Sequence, residues 1–94
     1  MTRRVSYAAR ARRWLRAELF YLEEHAPAGV GRLHQRMKTA ELMLSDHPRI
    51  GAPGWMPGTR RLVVLPYVIT YRERGDEVEI IDIRHSRQAE RPIE

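Results

Sequence analysis

Arginine dominates the chemistry available to this sequence. Sixteen of the seventeen basic side chains are arginine, and Lys38 is the only lysine. Near the carboxyl end, His85 is flanked by Arg84 and Arg87. Arginine presents a planar fork of donors that matches phosphate and carboxylate groups, and histidine exchanges protons near neutral pH. GC-rich coding also produces an arginine bias. Whatever its origin, the set of side chains suits either an acidic partner or acid–base chemistry beside an anion.

Other kinds of reactive site have little support in the sequence. The chain has no cysteine, which excludes a disulfide framework and a thiolate zinc site. His25, His34 and His47 fall at or near the ends of predicted helices without a matching acid, so we interpret them as surface residues. Asp82 is a lone carboxylate that we expect to pair with an arginine. We therefore expect neither a metal nor a cofactor.

Length, charge and hydropathy bound the class of protein. The chain has 94 residues and a formal net charge of +5, and we expect one domain over residues 1–94. No run of apolar residues is long enough for a membrane span, and the arginine-rich start lacks the apolar stretch of a signal peptide. We expect a cytoplasmic protein without a membrane partner, whose basic surface binds nucleic acid or an acidic protein segment.

Two helices and four strands are predicted to position these side chains. Residues 3–7 are typical of a short strand, and three- and four-residue apolar spacing predicts helices over residues 9–25 and 29–45, separated at Pro27. The predicted core positions are Ala11, Leu15, Leu19 and Leu22 in the first helix, and Val30, Leu33, Met37, Ala40 and Leu44 in the second.

After residue 60 the apolar period changes to two, which predicts a strand that begins at Leu62 and a hairpin that turns at Gly75 and Asp76. In the last strand the alternation shifts phase between Ile80 and Ile81, which indicates either a bulge or a strand covered on both faces. The predicted fold class is α+β: an N-terminal strand, an antiparallel helical hairpin and a three-stranded antiparallel meander in one mostly antiparallel sheet. A polar tail without periodicity follows.

The segment from His47 to Arg61 connects the helices to the meander. It is rich in proline and glycine, and it places Arg60 and Arg61 at the start of a strand. Its glycines are expected to permit turns that are closed to other residues. Trp55 lies among prolines and glycines, where a core position is difficult to build, so we expect it to be partly exposed.

Four stretches of the sequence, in this order, resemble the RelE/ParE superfamily of toxins from type II toxin–antitoxin pairs, in particular its ParE-like, plasmid stabilisation branch. These stretches are HPRIGAPG, PGTRRLVV, YVITYR and VEIIDIRHSRQ. The resemblance extends over nearly the whole chain and implies a RelE/ParE-like fold. It also implies one of two activities, because RelE-like members cleave mRNA on the ribosome, whereas ParE-like members inhibit DNA gyrase and are not known as nucleases.

The residues match the nuclease pattern only in part. Cleavage at a 2′-hydroxyl needs a base, cations for the crowded phosphate and an acid for the leaving oxygen. In RelE-like nucleases these come from lysines and arginines of the sheet and a tyrosine or histidine near the carboxyl end. Here Val68 stands where the pattern has arginine, and no predicted strand contains lysine. If the protein is a nuclease, its catalytic residues are expected to be His85, Arg61 and Arg87; otherwise His85 has a structural role or contacts the target or the antitoxin.

The resemblance also implies a cognate antitoxin, whose acidic C-terminal segment is disordered alone and folds against the helical hairpin and the sheet. The resemblance implies that DNA recognition belongs to the antitoxin, and this chain itself shows no helix-turn-helix spacing and no aromatic stacking set on a sheet. Growth arrest through gyrase is our first hypothesis, mRNA cleavage on the ribosome the second, and a non-toxic antitoxin-binding module the third. The residues expected to contact the target or the antitoxin are Arg12, Arg13, Trp14, Arg16, Trp55, Arg60, Arg61, Arg84 and Arg87, and Tyr21 is a further candidate that could instead belong to the core, as could Trp14.

Overall fold

A computed structural model of the chain describes residues 2–88. The elements, in chain order, are β1 (Arg4–Tyr7), α1 (Ala9–His25), α2 (Ala28–Asp46), β2 (Ala52–Pro53), β3 (Arg60–Val64), β4 (Tyr67–Arg74), β5 (Glu77–His85) and a 3-10 turn (Ser86–Gln88). The predicted α+β order is therefore confirmed. Sequence periodicity missed β2, because two residues show no alternation. The predicted polar tail beyond Gln88 lies outside the described residues.

The five strands form one mostly antiparallel sheet in the order β1-β5-β4-β3-β2. β1 pairs with β5 in the parallel direction, and the other pairs are antiparallel. β1 pairs with the first part of β5, up to Ile80, and no strand within residues 2–88 lies beside the rest of that edge of β5. β1 ends at Tyr7, and α1 begins two residues later, at Ala9.

Both helices bury most of the stripe that their periodicity predicts, but Val30, a predicted core residue in the first turn of α2, is only half-buried and lies outside the core cluster. In α2, Leu33, Met37, Ala40 and Leu44 are all buried, and Ala11 is buried in α1. Leu15, Leu19 and Leu22 are half-buried and pack against the same core. Complete burial of one such leucine side chain stabilises a fold by roughly 1.5–3 kcal/mol. The helical hairpin is thus held on the sheet by one apolar stripe from each helix.

A bulge explains the phase shift in the last strand. Thr70 pairs with Asp82, and the next residue of β4, Tyr71, pairs with Ile80, so Ile81 is an extra residue in β5. Because side chains alternate along a strand, one extra residue lets Ile80 and Ile83 point to the same side. Both are fully buried. Of the two sequence-based explanations, the bulge is confirmed, and its consequence is that Asp82 lies on the sheet face of its pairing partner Thr70, opposite Ile83.

The sheet therefore has two faces of different character. The helix face packs against α1 and α2 and consists of Leu62, Val64, Tyr67, Ile69, Tyr71, Val78, Ile80 and Ile83. The open face lies on the opposite side and carries Arg61, Val63, Val68, Thr70, Arg72, Glu79, Asp82 and Arg84. The apolar core lies between the helix face and the hairpin, while charged side chains are concentrated on the open face.

The connecting loop is fixed to the sheet through Gly51. Its backbone N–H donates a hydrogen bond of 2.9 Å to the hydroxyl oxygen of Tyr71. A Cβ atom on Gly51 would lie 2.8 Å from the carbonyl oxygen of Arg61 and 2.8 Å from that hydroxyl, which leaves no room for a side chain. Gly58 is needed for a different reason, because its φ of +79° is a conformation that L-residues rarely adopt. The loop glycines thus serve close approach at one point and a turn at another.

Candidate functional site

An arginine and a tryptophan form a stacked pair at the open face. The guanidinium carbon of Arg61 lies 4.9 Å from the centroid of the Trp55 ring. Trp55 belongs to the loop between β2 and β3, and 43% of its surface is exposed, as expected from the sequence. Such a cation–π contact at an exposed site contributes about 0.5–1 kcal/mol. The pair presents a flat cationic and aromatic surface that can stack on a planar group or hold an anion.

The turn that carries Trp55 is closed by its own hydrogen bonds. The backbone N–H of Gly54 donates to the carbonyl oxygen of Thr59 at 2.9 Å, and the Thr59 hydroxyl donates to the carbonyl oxygen of Met56 at 2.6 Å. Thr59 is buried, with 9% of its surface exposed. The indole is therefore presented by an ordered turn, which reduces the entropy lost when it contacts a partner.

Arg60 and Arg61 are neighbours in sequence but point to opposite sides of β3. Arg60 donates from Nη1 to the carbonyl oxygen of Gly51 at 2.9 Å and so supports the connecting loop. Arg61 lies on the open face against Trp55. The sequence predicted both as binding residues, and the structure brings only Arg61 to the open face.

Asp82 forms the centre of a charged cluster at the free edge of β5. Its carboxylate lies 3.0 Å from Nε of Arg10 and accepts a hydrogen bond of 3.1 Å from Nε of Arg84. Only 8% of the Asp82 side chain is exposed, whereas the Arg10 side chain is 53% exposed. The expectation that Asp82 pairs with an arginine is confirmed, and the carboxylate holds two guanidinium groups in place.

A surface hollow of about 380 Å³ opens beside this cluster, and it is lined by Arg10, Arg13, Trp14, Asp82, Ile83 and Arg84. Three arginines and one carboxylate give this hollow a formal charge of +2, and the indole and the isoleucine add apolar surface. Charge-assisted hydrogen bonds from guanidinium groups are directional and favour carboxylate or phosphate oxygens. The hollow therefore suits an acidic side chain next to an apolar one.

Two other arginines of the sheet share the carboxylate of Glu79. Arg72 and Arg74 lie 2.9 Å and 3.3 Å from the carboxylate oxygens of Glu79. Arg61 by contrast forms no ion pair with any residue of the described range. Its guanidinium stacks on the aromatic ring of Trp55, which leaves its charge available to an anion.

His85 lies on the helix face, away from Arg61. It pairs with Tyr67 across the strands, and the two rings meet edge to face with centroids 6.2 Å apart. Nδ1 of His85 accepts a hydrogen bond of 3.3 Å from the backbone N–H of Arg87, whose side chain is exposed. The sheet thus separates His85 from Arg61, so the three residues expected for a nuclease do not all lie on one face.

The tyrosines of the helix face remain protonated at neutral pH. Burial raises the pKa of Tyr67 above its usual 10, and the nearby carboxylate of Glu18 raises it further. Burial also raises the pKa of Tyr71, although the hydrogen bond from the Gly51 N–H opposes this effect. A neutral phenol is a hydrogen-bond donor and not a base, so neither side chain replaces the lysine that the strands lack.

The predicted residues of α1 differ in their contacts and exposure. Arg12 donates from Nη1 to the carbonyl oxygen of Tyr7 at 2.9 Å, which joins the helix to β1. Trp14 is half-buried and meets Tyr67 edge to face, so it belongs to both the core and the hollow. Arg13 and Arg16 are exposed. Tyr21 is 55% exposed and stacks on His25, which places it outside the core.

Sequence reasoning missed Arg10 as a site residue. It occupies the first turn of α1, where nothing in the local pattern distinguishes it from the other arginines of that helix. Its role depends on the parallel pairing of β1 with β5, which brings the start of α1 to the Asp82 carboxylate. That long-range pairing carries no signal near residue 10.

Two further features bear on the kind of site. Within residues 2–88, no group of three or more histidine, aspartate or glutamate side chains is arranged to hold a metal ion. Across the same residues, neither helix has the length and hydropathy needed to cross a membrane. The candidate site is thus an arginine-rich protein surface with two parts. One part is the Arg61–Trp55 pair, and the other is the hollow beside Asp82.

Comparisons with known proteins agree with this architecture. The chain is similar to a protein named Toxin RelE2 from Caulobacter vibrioides, with 33% identity over 66 residues that cover 70% of this chain and 75% of that protein. It also resembles a solved structure described as the chromosomal ParDE TA system from P. aeruginosa, with a TM-score of 0.72 at 22% identity, over 89% of this chain and 96% of that one. The structural similarity confirms the RelE/ParE-like fold.

The family assignment rests on a profile match. The profile described as the ParE toxin of type II toxin-antitoxin system, parDE, matches residues 5–90. This range includes both helices, every strand except the first residue of β1, and both parts of the candidate site. The chain therefore belongs to the ParE toxin family of type II toxin–antitoxin systems.

Proposed function

We propose that this toxin acts by binding DNA gyrase through its open face, and that a cognate antitoxin neutralises it by covering the same cationic surface. The observation that carries the proposal is the separation of His85 from Arg61 by the sheet, together with the exposed Arg61–Trp55 pair. The separation of His85 from Arg61 disfavours RNA cleavage, and the Arg61–Trp55 pair favours binding to a protein partner. Gyrase as the target is inferred from the resemblance to the ParE-like branch, and a toxin with this target acts in the cytoplasm.

The side chains of the open face are suited to binding. Tryptophan and arginine are over-represented among the residues that contribute most to protein interfaces, because both combine apolar area with hydrogen-bonding capacity. Trp55 and Arg61 meet these criteria in a preordered turn. RNA cleavage would instead require a base, an acid and cations around one phosphate. Because His85 lies across the sheet from Arg61, such a group is not assembled on the open face.

A toxin of a type II system acts together with an antitoxin, and the hollow indicates what this antitoxin presents. Its formal charge of +2 and its apolar wall favour a segment in which acidic and apolar side chains alternate or lie close together. Such a segment is too polar to fold alone and becomes ordered on the toxin surface. Coverage of Arg61, Arg84 and Arg13 would block access of gyrase to the same charges.

The direct test is a gyrase supercoiling assay with the purified toxin. We expect inhibition of supercoiling, or accumulation of cleaved DNA, at a micromolar excess of toxin, and loss of both effects when the cognate antitoxin is added. No effect on gyrase at that excess would refute the gyrase proposal. If gyrase is not inhibited, calorimetry of antitoxin binding distinguishes two explanations. A toxin that still binds the antitoxin is folded and has a different target, whereas one that does not bind is an inactive preparation.

Ribosome-dependent cleavage of mRNA is the second candidate, and one observation favours it. The relative from Caulobacter vibrioides carries a RelE name, although the family profile carries a ParE name. The test is a translation extract followed by primer extension on the transcript. Cuts that appear with the toxin and disappear in the His85→Ala variant would support this function, and an intact transcript would exclude it.

A third possibility is a family member that binds its antitoxin without being toxic. Expression of the chain in the absence of the antitoxin distinguishes it from both toxins. Growth arrest supports a toxin, and unaltered growth at a verified expression level supports the binding module.

A further inference from the structure

The solvent-facing surface of α1 has an unusual distribution of charge. We call this surface the outer α1 face; it consists of Arg13, Arg16, Ala17, Phe20, Glu23 and Glu24, and all six residues are exposed. Phe20 lies at its centre, with 65% of its surface exposed. Arg13 and Arg16 precede it, and the two glutamates follow it. Among the residues that the structure describes, none of the four charged side chains forms an ion pair.

This distribution does not stabilise α1 itself. Helices are stabilised by acidic side chains near the N-terminus and basic ones near the C-terminus, because of the helix dipole. The first turn of α1 contains no acid, and its last turn contains only His25 as a basic residue. Arg13 and Arg16 are also three residues apart, where like charges repel each other. The basic first half and acidic second half thus need an explanation outside the helix.

The same distribution is complementary to a second copy of itself in the antiparallel direction. Successive residues are about 100° apart around a helix, so Arg13 and Glu24 lie on one side of Phe20, and Arg16 and Glu23 on the other. Two outer α1 faces can meet about a two-fold axis perpendicular to the helices. The two helices then run in opposite directions, and the residues on one side of Phe20 in one copy lie against the residues on the same side in the other copy. Arg13 then faces Glu24 of the second copy, and Arg16 faces Glu23.

The apolar centre fits the same arrangement. In this register Phe20 of one copy lies over Ala17 of the other, and the small alanine side chain leaves room for the ring. A two-fold contact of this kind is self-complementary, as expected for an isologous dimer. The antiparallel direction also places the positive end of each helix dipole beside the negative end of the other. We propose that the outer α1 face is a self-association surface that pairs two copies of this chain through antiparallel α1 helices.

Charge complementarity selects this occupant over others. A parallel pair of helices would place arginine against arginine and glutamate against glutamate. An acidic segment of another protein would match Arg13 and Arg16 but would oppose Glu23 and Glu24. One helix pair buries less than the roughly 800 Å² per partner of a standard interface, so the dimer is expected to dissociate on dilution. Because its ion pairs are exposed, added salt weakens it.

Sedimentation equilibrium on the full chain over a range of protein concentrations tests the proposal. The wild type is expected to show a reversible monomer–dimer equilibrium, with a dissociation constant in the range of about 1–100 μM that rises with salt. Phe20→Ala is expected to raise this constant about tenfold, since it removes the aromatic centre.

Charge reversal provides the decisive arm of the experiment. The variant Arg13→Glu with Arg16→Glu has an entirely acidic face, and the variant Glu23→Arg with Glu24→Arg has an entirely basic one. Each alone is expected to be monomeric, and an equimolar mixture of the two is expected to form a heterodimer, because all four contacts are then between opposite charges. Heterodimer formation in the mixture also shows that both variants are folded.

A matched control uses the other helix. Arg32→Glu with Lys38→Glu makes the same change of charge on exposed positions of α2 and is expected to leave the wild-type dissociation constant unaltered. Wild-type protein that stays monomeric up to about 1 mM would overturn the proposal, since even weak specific interfaces are populated there. Dimers of both charge-reversed variants alone, or a mixture that does not combine, would overturn it as well.

Discussion

At the scale of single residues, the open face depends on a few side chains whose surroundings fix them. Asp82 is the clearest case, because one buried carboxylate holds both Arg10 and Arg84 at 3.0 Å and 3.1 Å. Charge-assisted hydrogen bonds of this kind exceed neutral ones in strength. The shape of the hollow therefore depends on the Asp82 carboxylate.

We expect Asp82→Ala to lower the free energy of unfolding by about 1–3 kcal/mol, because it leaves two arginine side chains without their acceptor. Asp82→Asn keeps the shape and one acceptor oxygen, so its effect is expected to be smaller. Urea denaturation followed by circular dichroism measures both. Asp76→Asn, at an exposed turn position, is the matched control, and an Asp82→Ala effect no larger than that of the control would contradict the assigned role.

Two glycines allow a prediction of opposite signs. Gly51→Ala is expected to destabilise the fold by about 1–3 kcal/mol, since the added Cβ would lie 2.8 Å from both the Arg61 carbonyl oxygen and the Tyr71 hydroxyl. Gly31→Ala in α2 has nothing within 4 Å and is expected to stabilise by about 0.5–1 kcal/mol, because alanine favours the helix. Thermal unfolding of both variants measures the difference, and equal effects would contradict the tight packing at Gly51.

At the scale of elements, the end of β4 is tied to the connecting loop and to the N-terminal segment. Glu73 accepts a hydrogen bond of 3.0 Å from Nε of Arg49 and lies 3.6 Å from Nη1 of Arg3. The hydrogen bond from Arg49 lowers the pKa of Glu73 below its usual 4.5, and the charge of Arg3 adds to this. The carboxylate thus joins three separate stretches of chain.

The lowered pKa of Glu73 predicts how stability varies with pH. A carboxyl group whose pKa is lower in the folded state stabilises the protein above its unfolded pKa of 4.5, and this contribution is lost as the pH falls through the folded value. We expect the melting temperature of the wild type to fall below pH 4.5 more steeply than that of Glu73→Gln. If the melting temperatures of the two proteins vary with pH in the same way between about pH 3 and 5, the ionisation of Glu73 is not coupled to folding.

The elements also show where sequence reasoning succeeds and where it stops. The helices were predictable, because Leu33, Met37, Ala40 and Leu44 repeat with the helical period over many turns. The bulge was visible as a phase shift beside Ile81. The two-residue β2 was not predictable, and neither was the contact of Arg10 with Asp82, because both depend on pairing between distant segments.

The candidate site was predictable in composition but not in geometry. The sequence indicated the arginines, Trp55 and the partial exposure of the indole, yet it treated Arg60 and Arg61 as one pair. Alternation along β3 sends them to opposite faces, and this follows only when the register with β4 is known. The same register separates His85 from Arg61, which no local pattern could show.

At the scale of the whole molecule, the sheet acts as a partition between the aromatic helix face and the cationic open face. Trp14, Tyr67 and His85 are in edge-to-face contact on one side, while Arg61 and Trp55 lie on the other. An arrangement that cuts RNA would bring the proton-transfer groups and the cations together. This molecule distributes them on two surfaces, which is consistent with a toxin that inhibits by contact.

The inhibitory concentration for gyrase supercoiling, measured for three proteins side by side, tests this account most directly. We predict that Trp55→Ala with Arg61→Ala raises it at least about tenfold relative to the wild type, as expected for the loss of interface anchors. His85→Ala is predicted to leave it unaltered. Retained inhibition by the Trp55 and Arg61 double variant, together with its loss in His85→Ala, would contradict the account.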